Sequence, residues 1–262
     1  MAPNNLSMSN FSHTFSDIRV MTKRGLVKYT RVPQLLVFST IQPVMFLLLF
    51  TYVFGGAIKT GAKDYINFLL PGILVQTVLF GAMQTGIGLV DDLSRGMIDR
   101  FRSLPMARSA VLAGRTITDL IRNLFVVFLM TVVGLFIGFR IDHGIFNFLG
   151  AVSLIALFGF AFSWVSATIG LAVKTPETAQ VAGFIWVFPL AFGSSIFVPV
   201  ESMSSGIRFF AEHNPITYVV NTVRALALGT PIGNNIWYAL IWMAVIIAIF
   251  VPLGVNRYRK IN

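Results

Sequence analysis

The chain has 262 residues, 56% of them hydrophobic and only 11% charged, with a mean hydropathy of +0.79. Soluble domains carry roughly a quarter of charged residues, and a chain this short has no interior able to hide so much apolar surface, so composition excludes an ordinary water-soluble enzyme. The net charge of +10 would suit a nucleic-acid surface, but the basic residues sit between apolar runs, where the bias of Lys and Arg toward cytoplasmic loops puts them; no nucleic-acid partner is expected.

In chain order, the first 33 residues are polar and carry five basic residues, without the short apolar core and small-residue cleavage site of a secretory signal, so no segment is expected to be removed. Within them Ile18, Met21, Gly25, Tyr29 and Val32 keep helical spacing while Lys23, Arg24, Lys28 and Arg31 supply charge. This pattern predicts a helix over 15–32 lying on the cytoplasmic membrane surface, with a disordered basic tail held by anionic lipid as the alternative. Apolar stretches at 34–58, 66–90, 123–139, 144–173, 178–200 and 237–255 are each long enough to cross a bilayer, the third only just. That third span is read as beginning at 115, because Arg115, Asp119 and Arg122 share one helical face, where opposite charges can pair as the helix enters the membrane.

The predicted fold is therefore all-α and polytopic, with six transmembrane helices over about 34–58, 66–90, 115–139, 144–173, 178–200 and 237–255. With the N-terminus inside, the cytoplasmic segments hold fifteen Lys and Arg and the outer segments five, so both termini are expected in the cytoplasm.

Two connecting segments carry further signals. Over 91–105, Leu93, Met97, Phe101 and Leu104 fall on one face, Asp91 and Asp92 stand where a helix N-terminus would favour negative charge, and Pro105 ends the run. A short amphipathic helix with Arg95, Asp99, Arg100 and Arg102 on its other faces would lie on lipid or dock into a partner's groove. Over 201–235, apolar residues interrupted by Asn214-Pro215 and Gly229-Thr230-Pro231 predict two short helices dipping into the outer leaflet.

There is no G-x-x-x-x-G-K-[ST] phosphate loop, H-E-x-x-H or G-x-S-x-G, there is no cysteine, and His13, His143 and His213 are scattered; the chain is read as binding no metal and no cofactor and carrying no catalytic residues. The six apolar runs contain no Asp, Glu, Lys, Arg or His, so no proton or ion relay is expected at mid-membrane and uphill transport would draw its energy from a soluble partner. Polar residues within the runs include Gln42, Gln76, Gln84, Ser194 and Ser195, candidates to line a substrate path. Together with Ser163, Ser166 and Thr168 beside Gly81, Gly86, Gly159 and Gly170, they better suit interhelical hydrogen bonding and close packing.

The run Arg100-Phe101-Arg102-Ser103-Leu104-Pro105, continued through Ala107-Arg108-Ser109 to Gly114-Arg115, resembles the cytoplasmic segment of ABC-2 type permeases. Leu70-Pro71-Gly72 and Asn214-Pro215-Ile216-Thr217-Tyr218-Val219-Val220 with Arg224 look like two further marks of that family, and the likeness is greatest to membrane subunits of daunorubicin-resistance-type exporters. It extends from about Phe15 to the C-terminus.

The resemblance implies an ABC-2 transmembrane domain over 34–262, working as a dimer, expected to be a homodimer, above two copies of a cytosolic ATPase subunit that binds ATP and Mg. It also implies that Asp91, Asp92, Arg95, Asp99, Arg100, Phe101, Arg102, Leu104 and Pro105 form a coupling helix against that ATPase. The N-terminal helix would join this contact, and the outer helices would cap the exit. The implied activity is export of hydrophobic or amphipathic compounds across the plasma membrane. Export of lipid-linked glycans, an ATP-independent channel or facilitator, and a scaffold without transport are the alternatives.

Overall fold

The computed structural model describes residues 6–32, 34–56, 64–95 and 108–260. Asp99, Arg100, Phe101, Arg102, Leu104 and Pro105 lie outside the described residues. Every regular element among those described is helical. These are α1 (Leu6–Arg31), α2 (Gln34–Leu49) prolonged by a π-helical turn (Phe50–Phe54), α3 (Tyr65–Ser94), α4 (Arg108–Ile137), α5 (Ile145–Gly170), α6 (Pro176–Phe192), a 3₁₀ turn (Val200–Ser202), α7 (Ser205–His213), α8 (Pro215–Leu228) and α9 (Asn235–Lys260).

Four stretches are long and apolar enough to cross a membrane: Tyr65–Ser94, Val111–Ile137, Ile145–Gly170 and Asn235–Tyr258. The other two expected spans are shorter as helices, 16 residues in α2 and 17 in α6. α3 is the axis of the bundle: 83% of its most apolar window is buried against protein, compared with 22% for α9, whose outer face is left to lipid. Around α3 stand α2, α4, α5, α6 and α8, and α9 closes the far side against α5 and α8.

Lipid gives little hydrophobic drive between helices, so the bundle depends on backbones that approach closely. α3 and α5 cross where Gly86 faces Ser166 and Gly170; a Cβ built on Gly170 would stand 2.6 Å from the Gly86 carbonyl oxygen. Hydrogen bonds reinforce the crossing, from Ser166 Oγ to the Met83 carbonyl (3.0 Å) and from Thr85 Oγ1 to Ser163 Oγ (3.4 Å). Gly72, the last residue of the Leu-Pro-Gly run, is needed because the backbone of Ile196 lies against it, 2.5 Å from where a Cβ would be.

Several boundaries depart from the expected ones. α1 starts at Leu6, well before the Phe15 expected. α3 does not stop at Val90: nothing between Val90 and Ser94 breaks a helix, so Asp91 and Asp92 belong to its last turn and not to the first turn of a new helix. Negative charge is unfavourable at a helix C-terminus. Arg95 offsets it at Asp91 (Nε to Oδ1, 2.9 Å), and Arg115 pairs with Asp92. α6 ends at Phe192, not Val200, because Pro189 removes a backbone donor and the chain then turns at Gly193. Over 201–235 two short helices do form, α7 and α8.

Substituting Gly86 with Val should force α3 and α5 apart and cost about 3 kcal/mol. Thermal unfolding in detergent should register a lowered midpoint, whereas Gly206→Ala, at a site open to space, should leave it unchanged.

Candidate functional site

Polar side chains gather at two ends of the bundle. At the end bearing α1, that helix lies along the first half of α4. Small residues allow this contact: Gly25 faces Thr118, and Gly114 faces Met21, each leaving a hypothetical Cβ 2.5 Å from its neighbour. Thr22 Oγ1 donates to the Gly114 carbonyl and Thr118 Oγ1 to the Thr22 carbonyl, both at 3.4 Å.

Alongside runs a chain of charges. Asp92 pairs with Arg115; Arg115 Nε lies 3.8 Å from Asp119 Oδ2; Arg122 Nη1 lies 3.7 Å from Asp119 Oδ1. Asp119 is only 2% exposed, and the Tyr29 hydroxyl of α1 donates to its Oδ1 at 3.2 Å while accepting from Arg122 Nη1 at 3.2 Å. Burial pushes the Tyr29 phenol above the usual tyrosine range, so it stays protonated and keeps its donor toward Asp119. Arg122 Nη2 donates to the Gly81 carbonyl (2.9 Å) and to Asn123 Oδ1 (3.1 Å).

Gly81 lies about 20 Å along α3 from Ser94, near the middle of that helix. The face Arg115, Asp119 and Arg122, expected where the third span enters the membrane, falls in the first half of the stretch Val111–Ile137, which is long and apolar enough to cross one. The six apolar runs hold no Asp, Glu, Lys, Arg or His, while α4 bears four charged residues before Asn123: Arg108, Arg115, Asp119 and Arg122.

At the opposite end, α8 is tied to α3 and to the turn after α6. Asn214 caps α8 by accepting from Ile216 N (2.9 Å), and its Nδ2 donates to the carbonyls of Leu190 and Gly193, both at 2.8 Å. One side chain thus serves the start of one helix and the orphan carbonyls at the end of another. Arg224, partly buried, donates to the carbonyls of Phe68 (3.0 Å) and Ser195 (2.9 Å) and to Asn221 Oδ1 (3.0 Å), with its guanidinium 3.6 Å from the centre of the Phe68 ring. Among the described residues no carboxylate lies within ion-pair distance of it, so neutral dipoles and an aromatic face carry its charge.

Of the candidate path residues, Gln42 and Gln84 are exposed and Gln76 is buried. Ser194 donates to the Ala191 carbonyl at 2.6 Å, and Ser195 bonds Asn221 Oδ1 at 2.8 Å and Thr217 Oγ1 through its N–H at 3.2 Å. The two serines therefore belong to the packing of the α6–α8 corner. Sequence reasoning passed over Tyr29, Asn123, Asn214 and Arg224 as paired polar groups. The signal available for Tyr29 was its helical spacing with Met21 and Gly25; Asn214 was legible as an interruption before Pro215 and, with Arg224, as part of a family mark, but not as a paired polar group.

The fold is that of a helical membrane protein whose polar residues join helices to one another, with no cluster of His, Asp or Glu suited to a metal among the described residues. Residues 16–228 match the model of the ABC-2 type transporter, and the chain belongs to that family. It is 36% identical over 241 residues to the daunorubicin resistance ABC transporter permease protein DrrB1 of Streptomyces coeruleorubidus, covering 91% of this chain and 84% of the relative. Two proteins of Mycobacterium tuberculosis are also similar. One carries the name probable doxorubicin resistance ABC transporter permease protein DrrC, at 27% over 244 residues with 92% and 87% covered. The other is the doxorubicin resistance ABC transporter permease protein DrrB, at 26% over 237 residues with 85% and 82% covered.

The charge chain predicts strong coupling between its members. Asp119→Ala, which removes the buried carboxylate shared by the half-buried Arg115 and Arg122, should cost about 3 kcal/mol. Combined with Arg122→Met it should cost less than the two single changes together by about 1 kcal/mol, as measured in a double-mutant cycle of unfolding in detergent.

Proposed function

We propose that this chain is the membrane subunit of an ATP-driven exporter of hydrophobic or amphipathic compounds, working as a dimer above two copies of a separate cytosolic ATPase subunit that holds ATP and Mg. The family assignment supports a permease, and the names of its relatives favour drug-like cargo over lipid-linked glycans. In this reading six segments cross the plasma membrane. The four long helices are joined by α6 and by α2 with its π-helical extension, which together span about 30 Å. Both termini and the α1 end face the cytoplasm, following the loop charges.

The observation that carries the mechanism is the unbroken line from Asp92 through Arg115, Asp119 and Arg122 to the Gly81 carbonyl. Asp91, Asp92 and Arg95 adjoin the segment Asp99–Pro105, which we assign to the ATPase contact with Arg100, Phe101, Arg102 and Leu104 as its surface. ATPase closure would pull on the end of α3 and the start of α4. The buried ion pairs make those ends and α1 move together and pass the displacement to mid-span. Gln42 and Gln84, exposed on α2 and α3, remain the candidates to face cargo, with Gln76 between them in chain order. Ser194 and Ser195 are committed to the outer corner, where α7 and α8 would cap the exit.

Co-expression with an ATPase encoded beside the gene, followed by purification through a tag on this chain, tests the reading: a phosphate-loop protein should come down in equal amount, and the complex should hydrolyse ATP. Phe101→Asp should lose that partner or its stimulated hydrolysis while the chain still inserts. A chain that purifies alone and passes solute through vesicles without ATP would establish a facilitator instead.

A further inference from the structure

Between α1, the last turns of α3 and the first turns of α4 lies a cavity of about 630 Å³, within the range of small-molecule sites. Val27 and Val32 of α1 stand at its mouth, both exposed, and Leu89 of α3 and Val111 of α4 line its depth, both buried.

Two polar atoms of residues in this lining are shut off from solvent and have no hydrogen-bond partner: Asp119 Oδ2 and Arg115 Nε. The rest of each side chain is engaged. Asp119 Oδ1 accepts from the Tyr29 hydroxyl and faces Arg122, and Arg115 Nη1 pairs with Asp92. Asp119 Oδ2 and Arg115 Nε stand 3.8 Å apart, too far for a hydrogen bond, and a buried polar group left without one is costly.

One ligand atom that both accepts and donates would satisfy the two together. A hydroxyl oxygen does this, accepting from Nε–H and giving its own proton to Oδ2 as a hydrogen bond. An ether or carboxylate oxygen can only accept, and an ammonium can only donate. A hydroxyl also adds no charge where Asp91, Asp92 and Asp119 already face guanidinium groups. The apolar walls at Val27, Leu89 and Val111 in turn call for a hydrocarbon or aromatic body behind it.

We infer that this cavity binds a neutral amphipathic alcohol, its hydroxyl bridging Arg115 Nε and Asp119 Oδ2 and its apolar body lying on Leu89, Val111 and Val27. A glyceride of the surrounding membrane and a hydroxylated compound carried by the protein share that chemistry. Either would hold α1 against α3 and α4 beside the Tyr29–Asp119 contact. The site goes beyond the exporter reading and requires no ATPase, so the two stand or fall separately.

The test compares a diazirine-bearing dodecanol with its methyl ether as photolabels of the full-length chain in nanodiscs, with the labelled peptides mapped by mass spectrometry. The alcohol should label α1 and the facing turns of α3 and α4 about fivefold more than the ether, the worth of one added hydrogen bond. In Asp119→Asn the amide oxygen stays toward the donors Tyr29 and Arg122, so an N–H takes the place of Oδ2. The hydroxyl then has no acceptor, and the preference for the alcohol should vanish. Val27→Trp, which fills the mouth of the cavity, should reduce labelling by both probes. Should Asp119→Asn fail to fold, competition against the label in the wild type by plain dodecanol and by dodecyl methyl ether measures the same preference. Displacement of the label by monooleoylglycerol would assign the site to a membrane lipid; displacement only by a compound the chain exports would assign it to cargo. Equal labelling by alcohol and ether in the wild type would overturn the proposal and leave the two atoms to a trapped water. Undiminished labelling in Val27→Trp would overturn it as well.

Discussion

The structure depends on one constraint: α4 carries Arg115, Asp119 and Arg122 into a span, and lipid cannot solvate them. Each must find a partner inside the protein, and the partners come from three helices. α3 offers the Asp92 carboxylate and the Gly81 carbonyl, α4 offers Asp119 and Asn123, and α1 offers the Tyr29 hydroxyl. α1, rich in charge and poor in apolar residues, could not by itself anchor to the bundle by hydrophobic packing. It is held because it covers the charged face of α4, and the glycines at 25 and 114 let it come close enough to do so. A buried ion pair is weak evidence of stability, since desolvation offsets most of the attraction, but it is exacting about geometry. Exact geometry is what a helix contact needs if several ends are to move as one.

The opposite end is built on a different solution. There the polar groups about Arg224 are neutral, and its charge is dispersed over two carbonyls, an amide and an aromatic ring. The corner made by α6, α7 and α8 contains non-helical backbone over 193–199, which would be untenable against lipid unless its carbonyls and amides were satisfied by protein. Asn214, Thr217 and Arg224 meet that need. The family marks read in the sequence thus acquire physical causes. Gly72 makes room for Ile196, Asn214 holds the end of α6, and Gly114 admits α1.

α3 links the two ends. Phe68, near its start, accepts from Arg224; Gly81, at its middle, accepts from Arg122; Asp92, in its last turn, pairs with Arg115. Between those points Gly86 locks it to α5. A helix held along its whole length by polar and close-packed contacts behaves as a rod, so a displacement at one end is felt at the other. That property suits a transporter driven from outside the membrane, which must carry work from a soluble engine to a site within the bilayer.

The sequence by itself determined that the chain is helical and lives in lipid, because apolar runs of membrane length admit no other economical fold. It also disclosed α1, the split between α7 and α8, and the motifs of the family, all of which rest on local spacing and on Pro and Gly. Its reading of Ser163, Ser166 and Thr168 as interhelical hydrogen-bonding groups beside small residues is matched by their bonds to neighbouring helices, Ser163 accepting and the other two donating. Tertiary structure alone decided the rest. Where α3 ends, and hence which helix owns Asp91 and Asp92, depends on Arg115 arriving from α4 to neutralise a charge unfavourable at a C-terminus. Which groups receive the charges of α4 depends in part on a carbonyl at Gly81 that no pattern in the sequence distinguishes from its neighbours. That Ser194 and Ser195 serve packing depends on partners more than twenty residues away. These are pairings between distant groups, and a one-dimensional pattern records the groups but not the distances between them.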